Sequence, residues 1–214
     1  MSHTQSDVLA RCIAELESRT RAEVVIVLQG ASGNYRDVDH RVGAILSFAF
    51  LLFAILSPTE IHPAAIPLPL LLLYGLGLVT TRYTPLRAWL TRRTRQERQV
   101  LRAAEAQFCR LKVHQTRSQT GVLIYSSRLE GRTIILSDQG AESAFPDAIR
   151  ESYEQKISEA CHSVKNLEFK LGAVLRTLGV HLEHQLPPED DTLLRTNELP
   201  DHAHLSQSTE DELA

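Results

Sequence analysis

Two short apolar runs separated by a polar turn lie between Thr120 and Gly140. They cover residues 122–125 and 133–136. Both runs are too short for buried helices and are rich in β-branched residues, so the pattern predicts an antiparallel β-hairpin that turns near Gly131. Because successive positions of each run are apolar, we expect both faces of these strands to be covered. This places the hairpin at the centre of a sheet, with helices above and below it.

Apolar patterns of the same kind predict the other elements of the domain. Apolar positions recurring at three and four residues predict helices at residues 8–17, 96–111, 147–161 and 167–184, and a further apolar run predicts the first strand at residues 23–28. In the helix at residues 96–111, the predicted inward face comprises Val100, Leu101, Ala104, Phe108 and Leu111. We therefore predict the α/β class, with a small central sheet flanked by helices.

The two most apolar windows of the chain are residues 42–56 and 64–79, separated by the polar segment 57–63. Each window is slightly shorter than the roughly 17 to 25 residues of a spanning helix. A few further residues on each, with Arg41 and Arg82 reaching back to the interface, would close much of the gap. The pattern favours a two-helix transmembrane hairpin that interrupts the α/β domain. The alternatives are a pair of buried core helices or a re-entrant hairpin.

The distribution of arginines predicts the orientation of this hairpin. Arg36 and Arg41 precede it, whereas the connecting loop carries Glu60 as its charged residue. Six arginines follow the hairpin: Arg82, Arg87, Arg92, Arg93, Arg95 and Arg98. The positive-inside rule then places both termini in the cytoplasm, with the two helices in the inner (plasma) membrane. We expect Arg41, Arg82, Arg87, Arg92 and Arg93 at the membrane interface, either as a binding patch for lipid phosphates or as a topology signal alone.

Domain boundaries and composition follow from the same pattern. Residues 1–38 form the first part of the α/β domain, 39–82 the transmembrane hairpin, 83–186 the second part, and 187–214 an acidic tail predicted to be disordered. A net charge of −3 gives no reason to expect a nucleic-acid partner. The three cysteines are widely spaced and suggest neither a disulfide framework nor a metal clip.

Three carboxylates are the candidates for chemistry. Asp138 follows the second strand of the hairpin, Glu130 lies in its turn and Glu23 opens the first strand. Ligands of α/β folds bind at strand ends, so Asp138 is the candidate catalytic residue. Together the three are candidate ligands for Ca²⁺ or another divalent cation. The alternative role for Asp138 is to cap a turn.

Other signals for chemistry are weak. The chain contains no phosphate-binding glycine loop and no HExxH, GxSxG or cysteine-nucleophile signature, which favours a non-enzymatic module over an enzyme. His181 and His184 are three residues apart and could hold zinc with Asp190 or His204. Histidines near the end of a helix more often interact with its dipole, which is the favoured interpretation.

Several strings resemble the TPM domain family. TGVLIY at residues 120–125, Leu129-Glu130 and IILSDQG at residues 134–140 resemble the centre of the family's domain. AEVVIV at residues 22–27 is similar to its first strand, and NELPD at residues 197–201 is similar to a string that follows the domain in its membrane-inserted branch. The resemblance implies an α/β domain interrupted by a membrane segment. It also implies two activities, since some relatives are phosphatases and others bind calcium.

These observations lead to one functional prediction and one alternative. The prediction is an integral membrane protein whose cytoplasmic TPM-like domain acts as an interaction or scaffold module, with the lipid bilayer and another membrane protein as partners. The alternative is a metal-assisted phosphate-ester hydrolase of the acid-phosphatase kind, with Asp138 as ligand or base. That alternative rests on the family resemblance.

Overall fold

The computed structural model describes residues 3–58, 62–83, 90–116, 118–162, 167–188 and 204–206. Two units can be separated: residues 1–32 with 97–214, and residues 33–96. In chain order the elements are α1 (His3–Arg19), β1 (Glu23–Gln29), α2 (Arg36–Leu56), α3 (Pro67–Tyr83), α4 (Arg93–Arg110), β2 (Gly121–Ser127), β3 (Arg132–Ser137), α5 (Asp147–His162), α6 (Leu167–Gln185) and β4 (His204–Ser206). Short 3-10 helices occur at Pro63–Ala65, Val113–Gln115 and Glu142–Ala144.

The strands form one mixed sheet in the order β3-β2-β1-β4. β2 and β3 form the predicted antiparallel hairpin, and Gly131 in its turn has a φ of 60°, a conformation that favours glycine. The predicted central position is correct for β2 but wrong for β3. β1 pairs in parallel with the other side of β2, which leaves β3 at an edge of the sheet.

Helices cover both faces of this sheet, as the sequence predicts. On one face Ile26, Ile124 and Ile135 are buried in a cluster with apolar residues of α1, α5 and α6. On the other face Leu123 and Tyr125 are buried against Val100, Ala104 and Val113. Neighbouring residues of β1 and β2 therefore belong to different clusters, which explains why these strands are apolar at successive positions.

Two details of the predicted core and tail are wrong. Leu101 is 40% exposed, because only a narrow strip of α4 that includes Val100 and Ala104 faces the sheet. The tail is not disordered throughout, since residues 204–206 form β4. Residues 189–203 and 207–214, where the rest of that prediction falls, lie outside the described residues.

Candidate functional site

The helices α2 and α3 expose an unusual amount of apolar side chain. The exposed set is Ile45, Leu46, Phe48, Leu52, Phe53, Ile55, Leu56, Leu68, Leu71, Leu72, Leu76 and Val79. Only 17% of the most apolar window of Arg36–Leu56 is buried, and 11% of that of Pro63–Thr81. A core helix of a soluble protein would be mostly buried. The interpretation as buried core helices therefore does not fit this surface.

Both helices are also long enough to cross a bilayer. α2 (Arg36–Leu56) has 21 residues, and the apolar span Pro63–Thr81, which comprises the 3-10 helix Pro63–Ala65 and most of α3, has 19. At about 1.5 Å per residue these lengths are close to the roughly 30 Å thickness of a hydrocarbon core. The apolar runs looked too short in the sequence because each helix continues beyond its run of apolar residues.

The two helices contact each other through small residues. A Cβ atom added at Gly77 would lie 2.5 Å from the Cα atom of Gly43, and one added at Gly43 would lie 2.8 Å from the carbonyl oxygen of Tyr74. Beside this crossing the Ser47 hydroxyl donates to the carbonyl oxygen of Leu70 at 2.9 Å. Close backbone approach and interhelical hydrogen bonds are typical of helix pairs in membranes.

Charged residues lie at the start of α2 and of α4. The Arg95 guanidinium donates two hydrogen bonds to the Asp37 carboxylate, at 2.7 and 3.0 Å, and Arg41 donates a third at 3.1 Å. Arg92 and Arg93, two of the predicted interface residues, are exposed. The side chain of Arg82 and all of Arg87 lie outside the described residues. Arg41 thus has a partner within α2, whereas the side chains of Arg92 and Arg93 are exposed.

Asp138 begins a turn at the end of β3, in which its carbonyl oxygen accepts a hydrogen bond from the Ala141 N–H at 2.9 Å. Its Oδ1 accepts a hydrogen bond from the Gln139 backbone N–H at 2.8 Å, and its own backbone N–H donates to Gly121 at 2.8 Å. Because β3 is antiparallel to β2, Asp138 lies at the amino ends of the parallel strands β1 and β2. The strand-end argument concerns carboxyl ends, so it does not apply to Asp138. Its Oδ2 atom is buried and has no hydrogen-bond partner among the described residues.

Glu130 lies at the opposite end of the sheet and is buried. Its Oε1 accepts a hydrogen bond from the Ser32 backbone N–H at 2.9 Å, and its Oε2 accepts one from the Ser127 hydroxyl. The Ser32 hydroxyl is 2.9 Å from the Tyr125 hydroxyl, which donates to Gln29 at 2.5 Å. This network ties the chain leaving β1 to the turn of the hairpin. Glu130 is thus used to hold the fold.

The three candidate carboxylates do not converge. Glu23 pairs with Gly121 at one end of β2, beside Asp138, whereas Glu130 follows Ser127 at the other end. Gly121 and Ser127 are six residues apart along β2, which corresponds to about 20 Å at roughly 3.3 Å per residue. No group of three or more His, Cys, Asp or Glu side chains that could hold a metal ion occurs among the described residues.

The predicted histidine pair does not form a site within the described residues. One ring nitrogen of His181 lies 2.8 Å from the carbonyl oxygen of Ala144, and its ring packs near Phe145 and Tyr153. His184 is exposed. Asp190 and the side chain of His204 lie outside the described residues.

Sequence reasoning missed the network around Tyr125, because this residue was counted as one apolar position of a strand. The available signal was its hydroxyl group, which needs a hydrogen-bond partner when the ring is buried. Ser32 and Gln29, polar residues at the end of the neighbouring strand, supply these partners. The carboxyl ends of β1 and β2 thus carry a network of polar side chains that includes Gln29, Ser32, Tyr125 and Glu130.

Burial raises the pKa of Tyr125 to about 12 from an ordinary 10.0, although the hydrogen bond with Ser32 opposes the shift. Since the folded-state pKa is the higher one, this tyrosine contributes stability below about pH 10 that is lost as the pH rises towards 12. Burial also raises the pKa of Tyr153, so we expect two of the five tyrosines to ionise late in a titration of tyrosinate absorbance, with Tyr125 near pH 12. Tyr125→Phe should remove the step near pH 12, and an unchanged amplitude at that pH in the variant would contradict the assignment.

No protein-family model matches the sequence, and no curated protein does. Among solved structures, the fold is similar to the NMR structure of the BA42 protein from the psychrophilic bacterium Bizionia argentinensis. The TM-score is 0.56 at 16% sequence identity, over 96% of this chain and 95% of that chain. At this identity, the similarity shows a shared fold alone.

Proposed function

We propose that this chain is an integral protein of the inner (plasma) membrane, anchored by the α2–α3 hairpin with both termini in the cytoplasm. Its TPM-like α/β domain then acts as an interaction or scaffold module for another membrane protein. The observation that carries the proposal is the exposed apolar surface of the hairpin. Only 17% of the apolar window in Arg36–Leu56 and 11% of that in Pro63–Thr81 are buried.

The magnitude of this exposure supports the bilayer as its environment. Moving one large apolar side chain from water to an apolar medium gains roughly 1.5–3 kcal/mol. The twelve side chains named above are between 37% and 78% exposed, so covering their remaining surface would contribute on the order of 10–20 kcal/mol. This is comparable with the roughly 5–15 kcal/mol that stabilises a typical domain. A hairpin left in water would therefore be prone to aggregate. Lipid tails would cover the same side chains and remove the free-energy cost of exposing them to water.

The charges support the proposed orientation. Arg92 and Arg93 are exposed next to the hairpin, where anionic headgroups attract basic residues by about 1 kcal/mol each. At the other end the described part of the connecting segment, around His62 and Pro63, carries no Lys, Arg, Asp or Glu. The positive-inside rule then favours a cytoplasmic location for the arginines.

The α/β unit supports a binding role better than the hydrolase alternative. The Glu130 carboxylate is engaged by groups of the fold, and Asp138 and Glu130 stand at opposite ends of the sheet. The described residues thus offer no converging set of groups that would favour the hydrolase.

The anchor can be tested by washing membranes from expressing cells with alkaline carbonate. We expect the full chain to remain in the membrane pellet. Replacing Leu52 and Leu72 together by arginine should release the protein or cause its degradation, because a central arginine costs about 2.5–3.5 kcal/mol on insertion. The matched Leu52→Ala, Leu72→Ala variant should stay in the pellet. Release of the unmodified chain would rule out the anchor.

A further inference from the structure

The two sides of β1 are covered in different ways. β2 pairs with β1 along its whole length, from Glu23 to Gln29. On the other side, β4 pairs with β1 at three positions, Val27, Leu28 and Gln29. β4 itself is a three-residue strand from the tail, and residues 186–203 connect it to the end of α6.

The backbone groups on this second side can be identified. The Glu23 N–H donates to Thr120 and the Gln29 carbonyl accepts from Arg128, so the odd-numbered residues of β1 face β2. The Val24 N–H instead donates to the Glu17 side chain at 2.9 Å. Because backbone groups alternate along a strand, the N–H and C=O of Leu28 lie on the same side as those of Val24. A side chain of α1 thus covers the first part of this edge, and β4 covers the last part.

The pairing of β4 with β1 contributes little free energy, because β4 is short and follows a long connection. A three-residue strand makes few ladder hydrogen bonds, and holding it closes a long connection whose ordering costs entropy. Uncovered strand edges readily pair with extended segments of other chains, and natural proteins cover them for this reason. β4 is therefore a strand that another segment can displace, and the edge of β1 beneath it can pair with an extended chain.

We propose that this edge of β1 is a strand-docking site, which residues 204–206 occupy as an intramolecular plug. An extended segment of the partner membrane protein displaces the plug and pairs in parallel with β1, in the manner of β-strand addition. The register places Leu205 opposite Leu28, between His204 and Ser206. The partner segment is accordingly expected to carry an apolar residue between two polar ones. This inference rests on the proposed function as an interaction module.

Two proline variants of the full chain distinguish loss of the pairing between β4 and β1 from any other effect of a proline in the tail. With Leu205 opposite Leu28, residues 204 and 206 exchange hydrogen bonds with Leu28, whereas the N–H of Leu205 points away from β1. Ser206→Pro removes a donor of the ladder and should release the plug. Leu205→Pro places the same ring where the N–H faces outward, a position at which edge strands tolerate proline.

The first readout is hydrogen exchange of the Leu28 amide in detergent-solubilised protein. We expect exchange at least about tenfold faster in Ser206→Pro than in the unmodified chain, and no such change in Leu205→Pro. The Val24 amide, held by Glu17 on the same edge, is the internal control and should be unaffected. Equal Leu28 exchange in all three proteins would overturn the proposal.

The second readout is binding of a fluorescent synthetic peptide with the sequence of residues 197–210, NELPDHAHLSQSTE. A tethered tail competes at an effective concentration in the millimolar range, so we expect the peptide to bind Ser206→Pro about tenfold more tightly than the unmodified chain. Equal affinity for both, or no binding to either, would contradict a plugged docking site.

Neither readout needs a bilayer or the partner protein. A failed carbonate test with a positive peptide test would refute the membrane anchor and leave the docking site standing. A negative peptide test with a stable anchor would refute the docking site alone.

Discussion

Ile124→Asp is expected to abolish folding of the α/β unit. Ile124 is 0% exposed and lies in the middle strand pairing, opposite Ile26 on one side and Ile135 on the other. An unpaired carboxylate at this position costs several kcal/mol, a large part of the roughly 5–15 kcal/mol that stabilises a domain. Thermal unfolding of the detergent-purified chain should show no cooperative transition, and limited proteolysis should degrade the unit rapidly.

A conservative variant shows whether the loss of side-chain volume or the buried charge prevents folding in Ile124→Asp. Ile124→Val removes one methylene group and is expected to cost about 0.5–1.5 kcal/mol, so the cooperative transition should persist at a slightly lower temperature. A near-normal transition for Ile124→Asp would mean that β2 is not the central, doubly covered strand described above.

Gly77→Leu is expected to separate the two helices of the hairpin. Its new Cβ atom would lie 2.5 Å from the Cα atom of Gly43, a contact with backbone that no side-chain rotation can relieve. Overpacking of this kind typically costs about 1–3 kcal/mol. The expected results are a lower unfolding temperature in detergent and greater protease sensitivity of the hairpin.

Gly75 provides a matched control on the same helix. A Cβ atom added there meets nothing within 4 Å, so Gly75→Leu changes helix propensity and bulk in the same way without the backbone clash expected at Gly77. Its unfolding temperature should stay close to that of the unmodified chain. If both variants were equally destabilised, the close crossing of Gly43 and Gly77 would have no special role.

The sequence predicts the hairpin and the covered sheet because local signals determine them. The run around Ile124 is β-branched and apolar at successive positions, which requires cover on both faces. The edge position of β3 could not be predicted, since it depends on β1 pairing with the far side of β2. β4 was missed for a related reason: three residues carry no periodic pattern, and their pairing depends on a distant strand edge.

The surroundings of the candidate carboxylates also depend on strand pairing that the sequence pattern does not determine. The position of Asp138 after a strand was predicted correctly, but the direction of that strand relative to its neighbours was not available from the pattern. An antiparallel pairing moves Asp138 to the amino ends of β1 and β2. The sequence places Glu130 in the turn of the hairpin as a candidate cation ligand, and only the three-dimensional arrangement shows that the backbone at Ser32 engages its carboxylate.

The α2–α3 hairpin is proposed to cross the membrane with its connecting loop outside. This arrangement can be tested by labelling sealed, right-side-out vesicles with a membrane-impermeant maleimide. His62 is exposed in the loop, and the exposed native Cys109 belongs to the unit assigned to the cytoplasm. We predict that His62→Cys is labelled in intact vesicles, whereas Cys109 is labelled only after permeabilisation. Labelling of both cysteines from the same side would contradict a spanning hairpin.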